Sequence, residues 1–382
     1  MTTWIHRIDT LLPDFSFAQE EAMAKMQEWA RDDREKRLVR AVYRNSGIER
    51  RHSVLRIYDG EREGAFLRRD ADGILRGPGT AARNDIFAAE SRAMSVELAR
   101  KILSNCPGIG PGDVTHVVTV SCTGFYNPGP DYYIVRELGM PDATQRYHLG
   151  FMGCYAAFPA LRMAAQFCEA DPSAVVLVMC LELCTLHLQL TGSEDNLLAN
   201  SLFADGLGAA IVTARPPPRG VAAFRIGEFR TALVPAGEQD MTWRIGDQGF
   251  DITLSSYVPK IVGGNIRGVV EPALAGAGLA LPDIDDWAVH PGGKSIIDQV
   301  QRSLGLVPGQ VIASRDVLRR CGNMSSATIL FVLEEILRRR AGGPEEMVCA
   351  IAFGPGLTVE MATLSAIPAP SAACVPTAGA IA

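Results

Sequence analysis

The chain has 382 residues, 47% of them apolar and 21% charged, with a formal net charge of −6. That fits one large or two medium globular domains with a sizeable core, and argues against nucleic-acid binding, which needs clustered basic residues. No apolar run reaches membrane-spanning length, and residues 1–10 lack the apolar stretch of a secretory signal, so the nine cysteines read as reduced thiols of a cytoplasmic protein.

Apolar, β-branched runs alternate with amphipathic stretches along the whole chain, the pattern of an α/β layered fold. Lys36, Arg37, Arg40, Arg44, Arg50 and Arg51 form a dense basic stretch, either a solvated helix face or a phosphate site. Val114 to Cys122 is predicted to be a buried strand. After a short glycine turn, Cys154 is predicted to open a helix spanning Tyr155 to Ala170. Ala174 to Leu183 reads as another buried strand, ending near Glu182. Cys180, Cys184 and His187 follow one another closely enough to suggest a metal, but small residues packing in a buried strand and its exit explain them better. Asp205 to Thr213 is a glycine-rich segment leading into a strand.

Pro216, Pro217 and Pro218 cannot sit inside a ladder or a helix, so a boundary is expected there, dividing the chain into halves 1–219 and 220–366. The second half echoes the first. Trp287 to His290 is a short strand, then a glycine turn and a helix from Ser295 to Leu304. Asn323 and Met324 lead into a helix from Ser325 to Arg338. Strands Glu346–Ala352 and Thr358–Ser365 are joined by Phe353, Gly354, Pro355 and Gly356. Residues 367–382, rich in Ala, Pro, Ser and Thr, are expected to form a mobile tail.

Three segments carry chemistry together. A thiol at a helix start is a candidate nucleophile, because the helix dipole and unpaired N–H groups favour the thiolate. Cys154 has that placement, with Gly153 allowing close approach. Such a nucleophile needs a partner that moves a proton and donors that hold an oxyanion. Of six histidines, His290 alone ends a strand beside glycines. Asn323 lies between Gly322 and a helix start, where it can serve as a plain helix cap or as a donor.

These residues resemble the type III polyketide synthases, the chalcone-synthase-like branch of the thiolase superfamily, over nearly the whole chain from about Arg50 to Ser365. The matching segments are Gly153-Cys154, Leu202-Phe203-Ala204-Asp205-Gly206, His290-Pro291-Gly292-Gly293, Gly322-Asn323-Met324-Ser325-Ser326 and Phe353-Gly354-Pro355-Gly356-Leu357-Thr358. The resemblance implies a five-layered αβαβα fold built from two pseudo-symmetric halves and working as a homodimer. It implies that Cys154 carries the growing chain as a thioester, and that His290 and Asn323 promote malonyl-CoA decarboxylation. Phe203 matches a gate between CoA tunnel and cavity. Ile252 falls on a second gate position, Trp243 on a cavity position that is glycine in chalcone synthases, and His187 on one that is threonine. Cys122 and Thr123 fall on the cavity wall, with Ser325, Gly354 and Pro355 also expected at the site. CoA is expected to enter past Arg44, Arg50 and Arg51. No metal or cofactor is called for beyond the acyl-CoA and malonyl-CoA substrates.

The departures point away from flavonoid products and towards a fatty acyl starter, with an alkylpyrone or alkylresorcinol as product. A malonyl-only route to naphthalene rings is the alternative. An initiating ketoacyl-ACP synthase shares the fold and the triad, but Pro291 and Pro355 favour the polyketide branch. A thiolase would need a second catalytic cysteine, and Cys349 is not in the right motif. A non-catalytic homologue would lose the nucleophile, which is present here.

Overall fold

The computed structural model describes residues 2–58, 66–73 and 75–369. Of the expected tail, 370–382 therefore lies outside the described residues. Nine strands form one mixed sheet, in the order Asp286–Val289, Glu346–Gly354, Thr358–Ile367, Ala223–Leu233, Thr3–Leu11, Asp205–Thr213, Val175–Leu183, His116–Ser121 and Gln145–Gly150.

The order contains the predicted echo. In the first half Thr3–Leu11, Asp205–Thr213 and Val175–Leu183 pair antiparallel, then His116–Ser121 joins parallel. In the second, Ala223–Leu233, Thr358–Ile367 and Glu346–Gly354 pair antiparallel, then Asp286–Val289 joins parallel. Thr3–Ile5 against Phe224–Ile226 stitches the halves together, and the proline segment 215–220 forms the loop between them.

Helices cover both faces of the sheet, which is why its strands read as nearly continuous apolar runs. All nine residues of Val175–Leu183 are buried. Its Val176, Val178 and Cys180 pack in a central cluster with residues of helices Ala157–Ala170 and Thr328–Arg339. Its Val175, Leu177, Met179 and Leu181 face outward against Leu98, Ala99 and Ile102 of helix Thr80–Ser104. On the far side, Val289, Ile351 and Met361 pack under helices Val258–Gly276 and Lys294–Leu304. Outer helix, the first half of the sheet, paired central helices, the second half of the sheet and outer helices make the five layers. No helix among the described residues is long and apolar enough to cross a membrane.

Two helix starts differ from expectation, for one reason. The helix expected from Tyr155 begins at Ala157, because Gly153 takes a left-handed φ of +84° and residues 154–156 form a turn. The helix expected from Ser325 splits into a 3-10 turn Ser325–Ala327 and helix Thr328–Arg339. Ser325 itself has φ +46°, incompatible with helical continuation. Both irregular turns lie at the site.

Candidate active site

The central helices and the strand ends beside them converge on one cavity of about 640 Å³. Cys154, His290 and Asn323 all line it, together with Phe203, Ile252, Trp243, Cys122, Thr123, His187, Ser325 and Pro355. Segments more than 130 residues apart in the chain thus meet in one place. Gly354 lies just behind the wall, where a Cβ would come within 2.4 Å of Tyr155 and 3.5 Å of the Cys154 nitrogen. Gly153 is required twice over: for its left-handed φ, and because a Cβ there would meet Pro355 Cδ at 2.5 Å.

Cys154 is half-buried, whereas the other described cysteines are buried. It does not open a helix; it sits in the turn ahead of Ala157. The expected lowering of its pKa is corrected accordingly. Burial dominates and pushes the thiol up to about 11, against weaker pulls downward from Ser325 and Asn323. Burial also pushes His290 down to about 3, so the ring is neutral. His290 is 1% exposed, and neither of its ring nitrogens has a hydrogen-bond partner. A buried polar group without a partner is costly. Here it marks where a substrate atom belongs.

Asn323 is not the helix cap: Met324 and Ala327 hold the cap positions of the turn and helix that follow, without a side-chain cap bond. Its Oδ1 accepts the N–H of Ser325, two residues on, at 2.9 Å, a local side-chain turn that fixes which way the amide faces. Its Nδ2 has one long bond to the Gly292 carbonyl, 3.3 Å, and retains donor capacity towards Cys154. Phe203 is bridged to Asn323 in register, with Ala204 N–H donating to the Asn323 carbonyl at 2.9 Å. Gate and donor are thereby one backbone unit.

His187 is fully engaged. Its Nε2 donates to the Thr123 carbonyl at 2.7 Å and its Nδ1 accepts the Phe250 N–H at 3.0 Å. The ring stacks on Phe250 at 4.0 Å and meets Trp243 edge-on at 5.5 Å. Trp243 donates its indole N–H to the Cys122 carbonyl at 2.7 Å. These three rings form a rigid wall, and among the described residues no group of His, Cys, Asp and Glu is arranged to hold a metal.

Sequence reasoning missed Glu182, which is fully buried behind that wall. Its carboxylate accepts the Cys122 N–H at 3.0 Å, the Thr123 hydroxyl at 2.8 Å and the Ser326 hydroxyl. Burial raises it to about 7, more than these bonds lower it. The one signal available was a lone carboxylate in the apolar run Val175–Leu183. The raised pKa has a consequence for stability. Between about pH 4.5 and 7 the native state holds a proton that the unfolded chain has lost, so this contribution falls as pH rises through that window. Glu182→Gln does not titrate. The difference in unfolding free energy, parent minus variant, is therefore expected to grow as pH falls from 8 to 5, by an amount on the order of 2–3 kcal/mol, read from denaturant unfolding. A constant difference across that range overturns the raised pKa.

The expected CoA contacts need correction. Arg51 lines the cavity from behind and is 1% exposed. Its guanidinium donates to the carbonyls of Asn200 and Phe203 at 2.8 and 2.7 Å and to Gln19 Oε1 at 2.9 Å. It lies over the rings of Phe17, Tyr43 and Tyr58. That is a brace under the gate, inaccessible to a nucleotide. Arg44 and Arg50 are exposed but do not line the cavity, and Arg50 is held by Ser16 at 2.9 Å.

Models described as the N-terminal and C-terminal domains of chalcone and stilbene synthases match residues 71–216 and 228–368. The chain belongs to the chalcone and stilbene synthase family. This type III polyketide synthase is 34% identical to bisdemethoxycurcumin synthase of Oryza sativa subsp. japonica, over 85% of this chain and 82% of that one. It is 30% identical to the alpha-pyrone synthesis polyketide synthase-like Pks18 of Mycobacterium tuberculosis, over 90% and 86% of the two chains. The crystal structure of PKS-I from the brown alga Ectocarpus siliculosus superposes with a TM-score of 0.89 at 30% identity, covering 96% of this chain and 98% of that one. The five-layer fold of the polyketide synthase is therefore that of its family, and it is an acyltransferase that condenses malonyl-CoA with loss of carbon dioxide.

Proposed function

We propose that this enzyme loads a fatty acyl-CoA starter on Cys154, extends it with malonyl-CoA, and closes the chain as an alkylpyrone or alkylresorcinol. The observation that carries the reading is the wall of the cavity. Met241, Ile252, Leu254, Leu188, Leu198 and Leu202 line it with apolar surface. An alkyl chain gains about 0.8 kcal/mol for each methylene buried there. Ile252, cross-strand from Trp243, leaves space that a ring would fill.

The chemistry follows from the triad. Cys154 Sγ attacks the starter thioester as its proton passes to a ring nitrogen of His290; CoA leaves as the thiol. Neither charge is favoured alone in this cavity, so thiolate and imidazolium arise together. Malonyl-CoA then places its thioester oxygen against the donors of His290 and Asn323. Loss of carbon dioxide leaves an enolate whose charge sits on that oxygen, where fixed N–H groups stabilise it. The enolate carbon attacks the Cys154 thioester and releases the thiolate, and the lengthened chain, now on CoA, returns to Cys154. The steps ask for no metal or cofactor. We take the working unit to be a homodimer. The strand Gln145–Gly150 ends the nine-stranded sheet with an edge that a second copy can meet.

The test is mass spectrometry of the products from labelled malonyl-CoA and a panel of acyl-CoA starters, short to long. Pyrones or resorcinols bearing the starter's alkyl chain are expected. Products built from malonyl-CoA alone, with no starter incorporated, would instead establish the naphthalene-type route. In the same assay Ile252→Trp is expected to cut turnover of the longest accepted starter by about tenfold or more while sparing short ones. An unchanged product spectrum removes Ile252 from the substrate wall.

A further inference from the structure

Arg83 is 1% exposed and sits in the first turn of helix Thr80–Ser104. A cation is out of place there twice over: the helix end is positive, and burial strips the guanidinium of water. Among the described residues no carboxylate compensates, and burial pulls Arg83 down to about 10. Its partners are backbone carbonyls instead. Nε donates to Pro78 at 2.7 Å, and Nη1 donates to Leu186 and, at 2.9 Å, to Leu188. The guanidinium lies over the Phe66 ring, 5.0 Å from its centre.

The carbonyls of Leu186 and Leu188 flank His187, whose ring stacks on Phe250 and meets Trp243. The same helix start also holds the other side of that wall. The Thr80 N–H donates to the Asp247 carbonyl at 2.9 Å. The Thr80 hydroxyl donates to the Gly246 carbonyl and accepts the Gly249 N–H at 2.9 Å. Residues 246–249 are the turn of the hairpin formed by Met241–Gly246 and Gly249–Leu254, which carries Trp243, Phe250 and Ile252. Gly249, at φ +109°, lies against Arg83, where a Cβ would stand 3.2 Å from Arg83 Cδ and Nε. One turn further on, Phe87 covers Gly124, next to the Thr123 carbonyl that His187 holds. One helix turn therefore clamps both stretches of backbone from which the aromatic wall projects. A charge buried at such cost is retained for what it fixes in place.

We propose that Arg83 and Thr80 are positioning residues for the cavity wall: by holding the turn of His187 against the hairpin of Trp243 and Ile252, they set the room left for the growing chain and so the number of malonyl units added. The proposal rests on this cavity holding the growing chain, and not on which starter the enzyme takes. Malonyl units are counted equally well in products of an alkyl starter and in products of malonyl-CoA alone.

The test is the product mass spectrum of Arg83→Met and Thr80→Val, with release of carbon dioxide from malonyl-CoA measured alongside. Arg83→Met keeps the stem and removes the donors to the His187 turn; Thr80→Val releases the hairpin and leaves Arg83 in place. In each, the ratio of the main product to products one malonyl unit longer or shorter is expected to fall about fivefold or more. Release of carbon dioxide, which depends on His290 and Asn323, should stay within about twofold. Lysine restores the charge of Arg83 without its planar fork, so Arg83→Lys should recover only part of the parental ratio. If Arg83 acts through the wall, Arg83→Met should change the ratio far less in a Trp243→Ala background than in the parent. Should Arg83→Met fail to fold, Thr80→Val decides. A parental product ratio in the folded variants overturns the proposal. So does a loss of carbon dioxide release as large as the loss of product, or full additivity with Trp243→Ala.

Discussion

Cys154→Ala is expected to abolish polyketide formation, by at least about a thousandfold, while carbon dioxide is still released from malonyl-CoA. The two activities separate because they use different atoms. Chain growth needs a sulfur to hold the acyl group; enolate formation needs only donors around the malonyl oxygen, and alanine leaves His290 and Asn323 in place. Melting temperature should barely move, since Cys154 is half-buried and alanine keeps its Cβ. The same logic fixes how the thiol responds to pH. With burial holding Cys154 up to about 11 and His290 down to about 3, the mechanism we propose passes the Cys154 proton to His290 as the sulfur attacks. Alkylation by iodoacetamide, which the half-buried Cys154 admits and the buried cysteines resist, should rise with pH. Product formation by Cys154→Ala would sink the assignment.

The triad was legible because each member stands at a turn with its own local signature. A glycine must precede Cys154, since only glycine reaches φ +84° against Pro355. His290 must leave its strand before a Pro-Gly-Gly turn, and the Asn323 side chain must accept the Ser325 N–H ahead of the turn Ser325–Ala327. The layered fold was legible for a related reason. Strands buried on both faces lose their alternation, and Val175–Leu183 reads as one apolar run. What stayed hidden depends on contacts across the chain. Glu182 looks like a misfit in that run until Cys122, Thr123 and Ser326 are brought to it. Arg50 and Arg51 are indistinguishable as charges, yet strand alternation turns one outward and the other into the core. The left-handed φ of Ser325 is likewise invisible in its residue type, although such conformations in non-glycine residues gather at functional sites.

Asn323 allows its two characters to be tested apart. In the local turn, it needs only Oδ1, which accepts the Ser325 N–H at 2.9 Å. As a donor, it needs Nδ2. Asn323→Asp keeps an oxygen for the turn, and aspartate makes such turns as asparagine does. It removes the N–H, however, and places a carboxylate where negative charge develops. Decarboxylation of malonyl-CoA by Asn323→Asp is therefore expected to fall by about a hundredfold to a thousandfold, the usual cost of one lost oxyanion donor. Its melting temperature should stay close to that of the parent. Asn323→Ala should lose the same activity and also about 1 kcal/mol of stability, because the buried turn bond goes with the donor. His290→Gln provides the complement. Glutamine still offers an N–H to the enolate but accepts no proton from Cys154, so decarboxylation should fall less than starter loading. Decarboxylation at parental rate in Asn323→Asp would return Asn323 to a purely structural role. It would leave His290 as the source of the charge stabilisation that the reaction requires.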